Sequence, residues 1–266
     1  MNDIATSPRP SNRWPPRHAW VVGASSGMGQ GLAIEFAKMG IKVTASARSK
    51  SALVSLEKEN QNIRARPLDI SQLGDVREIA KKATEQFGPI DLVVLSAGAW
   101  DPSSPEHWDQ EKATRSMTVN YFGVINVIDT VLPQMRKNIK GHIAIVSSVS
   151  GYCGLPGAAY YSPPKAALIN LSEAMKPELE QQGIKLQIIN PGFVRTPMTE
   201  VNDFPMPFLM ERADAVQRIV DGLQSRRFEI VFPRRFAWLM KLLSFLPYPL
   251  YFFITARMVK QNAGNT

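Results

Sequence analysis

Between residues 141 and 165 the chain carries the paired serines Ser147 and Ser148, with Tyr161 and Lys165 spaced from them for proton transfer. Tyr161 and Lys165 stand four residues apart, so a helix across them puts both on one face, a turn from each other. An ammonium beside a phenol favours the phenolate and draws its pKa below the reference of about 10. Ser147 and Ser148 close the apolar run 143–146, where a strand-end hydroxyl can hydrogen-bond a substrate oxygen beside that phenol. These groups move protons and carry no electrons, so the site needs a redox partner bound elsewhere on the chain.

A place for one lies near the start, at Gly23-Ala24-Ser25-Ser26-Gly27-Met28-Gly29. Glycines here allow a tight strand-to-helix turn and let the backbone approach a pyrophosphate, which the N-terminus of the helix attracts. The spacing is G-x-x-x-G-x-G, not the commoner G-x-G-x-x-G. After the second apolar run comes Ala45-Ser46-Ala47-Arg48-Ser49, with an arginine and no acid. An acid there would pair with a ribose 2′-hydroxyl, and an arginine accommodates a 2′-phosphate, so Arg48 points to NADP(H) over NAD(H).

Short apolar runs alternate with helical patterns from His18 onwards. Strands are expected at 18–22, 41–47, 63–68, 91–96, 143–147, 185–190 and 229–232. Helices are expected from the glycine loop to about Met39, and at 51–60, 72–87, 106–137, 159–182 and 213–225. That alternation predicts an α/β fold, a single doubly wound Rossmann-type domain with a central parallel seven-stranded sheet covered by helices on both faces. The catalytic domain is expected over 18–233, after a disordered proline-rich leader at 1–17 and before an apolar, basic helical extension at 234–266. The leader has four prolines and no apolar core of the kind a signal peptide needs.

Together these pieces resemble the short-chain dehydrogenase/reductase family over residues 18–233. Gly23, Gly27 and Gly29 look like its cofactor loop, with Ser25, Ser26 and Met28 between them, and Asp69-Ile70 like its adenine-contacting pair. Ser96-Ala97-Gly98 is similar to its Asn-Ala-Gly motif, and Asn120 falls where the family has its catalytic asparagine. Pro191-Gly192-Phe193-Val194-Arg195-Thr196 looks like the segment that closes on the nicotinamide. Ser148 and Tyr161 have the family's spacing of 13 residues, which selects Ser148 over Ser147.

The resemblance implies hydride transfer between a nicotinamide and a carbonyl or carbinol carbon. Tyr161 would be the general acid, Ser148 would polarise the carbonyl, and Lys165 would lower the tyrosine pKa and hold the ribose. Asn120 would hold a proton-relaying water, and a homodimer or homotetramer is expected. The chain also departs from the pattern. Val22 replaces the usual threonine and Ser96 the usual asparagine, so altered hydrogen bonding between the first and fourth strands is expected. Ser162-Pro163-Pro164 interrupts the tyrosine–lysine helix. Proline is tolerated only in a helix's first turn, so the helix must begin close to Tyr161, or begin earlier and kink.

Composition narrows the remaining possibilities. Cys153 is the single cysteine, which excludes an internal disulfide framework and suits a reducing, cytoplasmic compartment. Three histidines in no metal-ligand spacing argue against zinc. Of the net charge of +8, residues 226–266 hold seven basic residues and one acid. The body is nearly neutral and offers no basic stripe for nucleic acid. The tail stretch 236–254 approaches a membrane span in length but contains Lys241, Pro247 and Pro249. It reads as an interfacial anchor, a cover over the substrate pocket, or a subunit interface. The apolar segment 197–211 is expected to act as a lid, with Trp100, Phe193 and Tyr152 as aromatic walls to a bulky apolar substrate. The leading expectation is a carbonyl reductase or alcohol dehydrogenase. The alternatives are reduction of a 3-oxoacyl thioester on an acidic carrier, for which the basic tail would suit, and a non-catalytic NADP-binding regulator.

Overall fold

A computed structural model describes residues 14–202 and 204–263. Seven parallel strands form one sheet in the order β3-β2-β1-β4-β5-β6-β7. They are β1 His18–Val22, β2 Lys42–Ser46, β3 Ile63–Ala65, β4 Leu92–Leu95, β5 Gly141–Val146, β6 Ile184–Pro191 and β7 Glu229–Phe232. Every residue of β1, β4 and β5 is buried, as strands covered on both faces require. Crossover helices supply the two covers. Helices α1 (Gly27–Lys38), α2 (Lys50–Glu59) and α8 (Arg212–Gln224) pack on one face through Phe36, Leu53, Leu56 and Ile219. On the other lie α3 (Leu73–Phe87), α5 (Gly123–Lys137) and α6 (Ser162–Gln181), through Val76, Val127, Val131 and Leu168.

Between α3 and α5 the single expected helix at 106–137 is divided. Residues 106–109 are not helical, and α4 (Gln110–Met117) starts after Asp109, whose side chain accepts from the Lys112 N–H at 3.0 Å. A π-helical turn then spans Thr118–Phe122. The expected disordered leader also needs correction at its end. Trp14 packs edge-on against Phe36, ring centroids 6.1 Å apart, and the Arg17 N–H donates to Asp91 at 2.9 Å. Residues 1–13 lie outside the described residues.

The C-terminal extension is a helix pair, α9 (Arg234–Phe245) and α10 (Tyr248–Ala263), divided by a turn at Pro247. Phe236, Ala237, Met240 and Leu243 of α9 form a third apolar cluster with Val149, just beyond β5. A short helix, α7 (Pro197–Glu200), precedes α8.

Candidate active site

Strand order reverses between β1 and β4, so their carboxyl ends part and leave a crevice. Gly23 turns the chain out of β1 with φ +94°, and the Gly23 and Ala24 N–H groups both donate to the Ser46 carbonyl. A Cβ on Gly23 would lie 2.4 Å from the Ala97 nitrogen, so a larger residue cannot pass the end of β4. Gly29 is packed as tightly beneath the loop, a Cβ there falling 2.2 Å from the Gly23 oxygen.

A cleft of about 550 Å³ runs over this loop. Gly23, Ser25, Ser26, Gly27 and Met28 form its floor at the N-terminus of α1. Arg48, Asp69 and Ile70 bound one end, and Ala97, Gly98 and Thr196 the other. The Arg48 side chain is exposed and makes no hydrogen bond or ion pair among the described residues. Asp69 turns its carboxylate onto the Ser71 N–H and hydroxyl, at 2.9 and 2.8 Å, which hold it below the usual carboxylate range. An extended, anionic dinucleotide suits this shape. The helix N-terminus faces the middle of the cleft, and a free guanidinium stands at one end. Between β1 and β4 the link at Val22 and Ser96 is made by the backbone, Ser96 N–H to Val22 carbonyl at 2.8 Å.

At the next strand end, the two serines separate by function. Ser147 is buried and donates to the Lys165 carbonyl at 2.7 Å, pinning α6 to β5. Ser148 turns the other way, accepts from the Ser150 N–H at 3.2 Å and donates to the Pro191 carbonyl at 3.5 Å, close enough to Tyr161 to draw its pKa down. Helix α6 begins at Ser162, with Tyr161 as its N-cap and both prolines in the first turn. This is the first of the two expected arrangements, and the helix is not kinked there. A preceding turn, closed by Tyr161 and Ser162 N–H groups on the Ala158 carbonyl, delivers the tyrosine.

Lys165 is buried, donates to the Val146 carbonyl at 3.0 Å, and sits 5.4 Å from the centre of the Tyr161 ring. Burial pulls its ammonium down to about 8. Burial also pushes the Tyr161 phenol up to about 12, against the pull of the Ser148 hydroxyl. The expected depression of the tyrosine pKa by the lysine is therefore not seen, because desolvation of the phenolate is the larger effect.

Asn120 lies in the π-helical turn. Its amide closes a two-way bond with the Ala99 backbone, accepting at 2.8 Å and donating at 2.9 Å, and donates again to Ser116 at 2.9 Å. Asn120, expected to hold a relaying water, thus uses its side-chain amide to fix the loop after β4. It acts as a positioning residue there.

Pro191 ends β6, and Gly192 bonds the Phe232 carbonyl at 2.7 Å. Val194 then bridges to Met210, flanked by the bonds Arg195 N–H to Met210 and Met210 N–H to Phe193. The segment expected to be a lid is therefore an excursion with both ends tied together. Thr196 caps α7 and touches the site a Gly27 Cβ would take, at 3.3 Å, so the excursion starts against the glycine loop. From its far side Phe204 reaches back between Trp100 and Phe193, at 6.5 and 6.0 Å, and the Trp100 ring meets Tyr161 edge-on at 5.2 Å.

Trp100 and Phe193 thus join the line of rings that meets Tyr161, and Tyr152 does not. Its hydroxyl donates to Glu229, which also takes bonds from Asn190, at 2.8 Å, and from Lys241 of α9. This knot ties the loop after β5, the end of β6 and the tail. Phe204 and the Glu229 knot escaped the sequence reading, because apolar character in the lid and one acid in a basic tail were their only signals.

A family model for short chain dehydrogenase matches residues 17–204. The chain belongs to the short-chain dehydrogenase family. An oxidoreductase of Myxococcus xanthus, described as uncharacterized, is 36% identical over 239 residues, covering 88% of this chain and 94% of that one. A 3-oxoacyl-[acyl-carrier-protein] reductase of Thermotoga maritima is 34% identical over 184 residues, covering 68% and 75%. The crystal structure of a short-chain dehydrogenase from Streptomyces avermitilis superposes with a TM-score of 0.77 at 25% identity, covering 85% of this chain and 91% of that one. In this short-chain dehydrogenase Asn120, Ser148, Tyr161 and Lys165 come from three places, the π-helical turn, the loop after β5 and the start of α6.

Proposed function

We propose that the protein reduces a carbonyl group on an apolar substrate with NADPH. The convergence of Ser148, Tyr161 and Lys165 beside a cleft that ends in a free Arg48 carries this reading. The nicotinamide cofactor, when bound, supplies the hydride. The loop 23–29 and the N-terminus of α1 hold its pyrophosphate, and Arg48 holds the 2′-phosphate. Asp69-Ile70 borders the adenine, Lys165 takes the nicotinamide ribose, and Pro191, Gly192, Val194 and Thr196 close over the ring. Ser148 donates to the carbonyl oxygen of the substrate. Tyr161 gives its proton to that oxygen as charge develops there, acting as general acid. A phenol pushed up to about 12 is fully protonated at neutral pH, which is the form reduction needs. Lys165 steadies the phenolate that remains. Trp100, Phe193 and Phe204 give the substrate an apolar setting.

NADPH oxidation against a panel of ketones, aldehydes and 3-oxoacyl thioesters tests the reading. Tyr161→Phe should retain cofactor binding and lose catalysis by a factor of about 10²–10⁴, the usual contribution of general acid–base help. Turnover unaffected by that change would sink the mechanism. A second reading, 3-oxoacyl thioester reduction, is favoured by the Thermotoga maritima relative, and the thioester arm of the panel decides it.

A further inference from the structure

Helix α9 is apolar on both sides. Its inner residues Phe236, Ala237, Met240 and Leu243 are buried, but Trp238, Leu242 and Phe245, spaced i, i+4 and i+7, are 73%, 62% and 83% exposed. Past the Pro247 turn, Tyr248 and Phe252 of α10 extend the surface, stacked on each other at 5.7 Å. A water-facing stripe of this kind lacks its cover.

The charges beside the stripe indicate what the cover is. Arg218, Arg226, Arg227, Arg234 and Arg235 are exposed, and their side chains make no hydrogen bond or ion pair among the described residues. Two of them begin α9, where a cation opposes the helix dipole, so they are not there to stabilise the helix. A groove of about 780 Å³ beside β7 is lined by Arg218, Arg227, Arg234, Arg235 and Trp238. On α10, Arg257 lies 4.0 Å over the Phe253 ring. Glu229, the one acid after residue 225, is already bound to Lys241.

We propose that α9 and α10 dock in the plane of an anionic lipid surface, with the aromatic residues in the headgroup–acyl boundary and the arginines on lipid phosphates. No helix among the described residues is long and apolar enough to cross a membrane, so the contact lies on the surface. A second copy is the poorer cover, because a two-fold contact through this face would set the same unpaired arginines against each other. The docked helix borders the reaction site. Phe236 stacks on Phe193 at 5.7 Å, and Phe193 leads through Phe204 and Trp100 to Tyr161. Resting on the reductase reading above, this assigns the substrate to carbonyl compounds dissolved in the bilayer.

Flotation of the full-length protein with vesicles tests the docking without any turnover. Phosphatidylcholine alone should leave it in solution, and an equimolar mixture with phosphatidylglycerol should carry it up, less so as salt is added. Arg234→Gln with Arg235→Gln should weaken partitioning about 30-fold, from about 1 kcal/mol per charge. Trp238→Ser with Phe245→Ser should abolish it, both pairs being surface changes that leave the circular dichroism spectrum unaltered. Absence of flotation overturns the proposal, as does a wild-type dimer that the Trp238 and Phe245 changes dissociate. Flotation with no turnover on any carbonyl would remove the reductase reading and leave the docking standing.

Discussion

In the proposed mechanism Arg48 and Tyr161 divide binding from chemistry. Arg48 makes no hydrogen bond or ion pair among the described residues and acts on Asp69 only through its charge, so Arg48→Ala should leave the fold alone and, in the proposed reading, remove a cofactor contact. Its expected effect is a 10- to 100-fold rise, by order of magnitude, in the KM for NADPH, as befits loss of a charge-assisted bond, with the NADH value nearly unmoved. Steady-state kinetics with both cofactors reads this directly, and equal losses would refute the assignment. A second residue-scale expectation concerns acid. Burial, with Lys185 nearby, pushes His142 down from 6.5 to about 3. Between those values the unfolded chain holds the proton and the folded chain does not, so stability rises with pH across that window. One such group gives a slope of at most about 1.4 kcal/mol per pH unit. Urea unfolding from neutral to mildly acidic pH should show the loss, and His142→Gln should flatten it.

Elements were largely legible, because buried parallel strands announce themselves as unbroken apolar runs. All seven strands stand where the alternation places them, within a few residues at their ends. What the pattern missed was a register change. The periodicity of 106–137 reads as one helix, since a single π-turn inserts its extra residue while the chain stays helical on either side. Asn120, locked to Ala99, sits at that turn, and Gly123 follows with Ile70 where its Cβ would be, at 2.5 Å. The Pro163-Pro164 pair was the harder case for sequence alone. In a first turn these residues give up only N–H groups that have no helical partner. Pro163→Ala should therefore cost about 0.4–1 kcal/mol, through the unfolded chain, and leave kcat unchanged. Gly23→Ala, which drives a methyl into the Ala97 backbone, should cost several times more and abolish cofactor binding. Thermal melts with and without NADPH separate the two.

Across the whole molecule, the tail is fastened to the reaction centre. Lys241, Glu229, Tyr152 and Asn190 join α9 to the strand ends that carry Ser148 and Pro191. A tail covering the site was among the expectations, but these four residues were not readable, because their meeting depends on the tail folding back onto a loop some ninety residues earlier. Lys241→Met leaves a half-buried carboxylate with neutral donors only. The expected loss is about 1 kcal/mol in urea unfolding, kept small by the partial exposure of both partners. A value near zero would show that the tail is held by its apolar face alone.

The bridge between Val194 and Met210 has a consequence for how such an enzyme changes its substrate. With both stems stapled beside the sheet, the residues between them form a replaceable cassette. Insertions or exchanges there should alter the ring contacts that Phe204 makes with Trp100 and Phe193 without moving Thr196 against the glycine loop or Tyr161 on its helix. In the proposed reading, new specificity can therefore arise in one short segment while the groups assigned to hydride transfer are inherited whole.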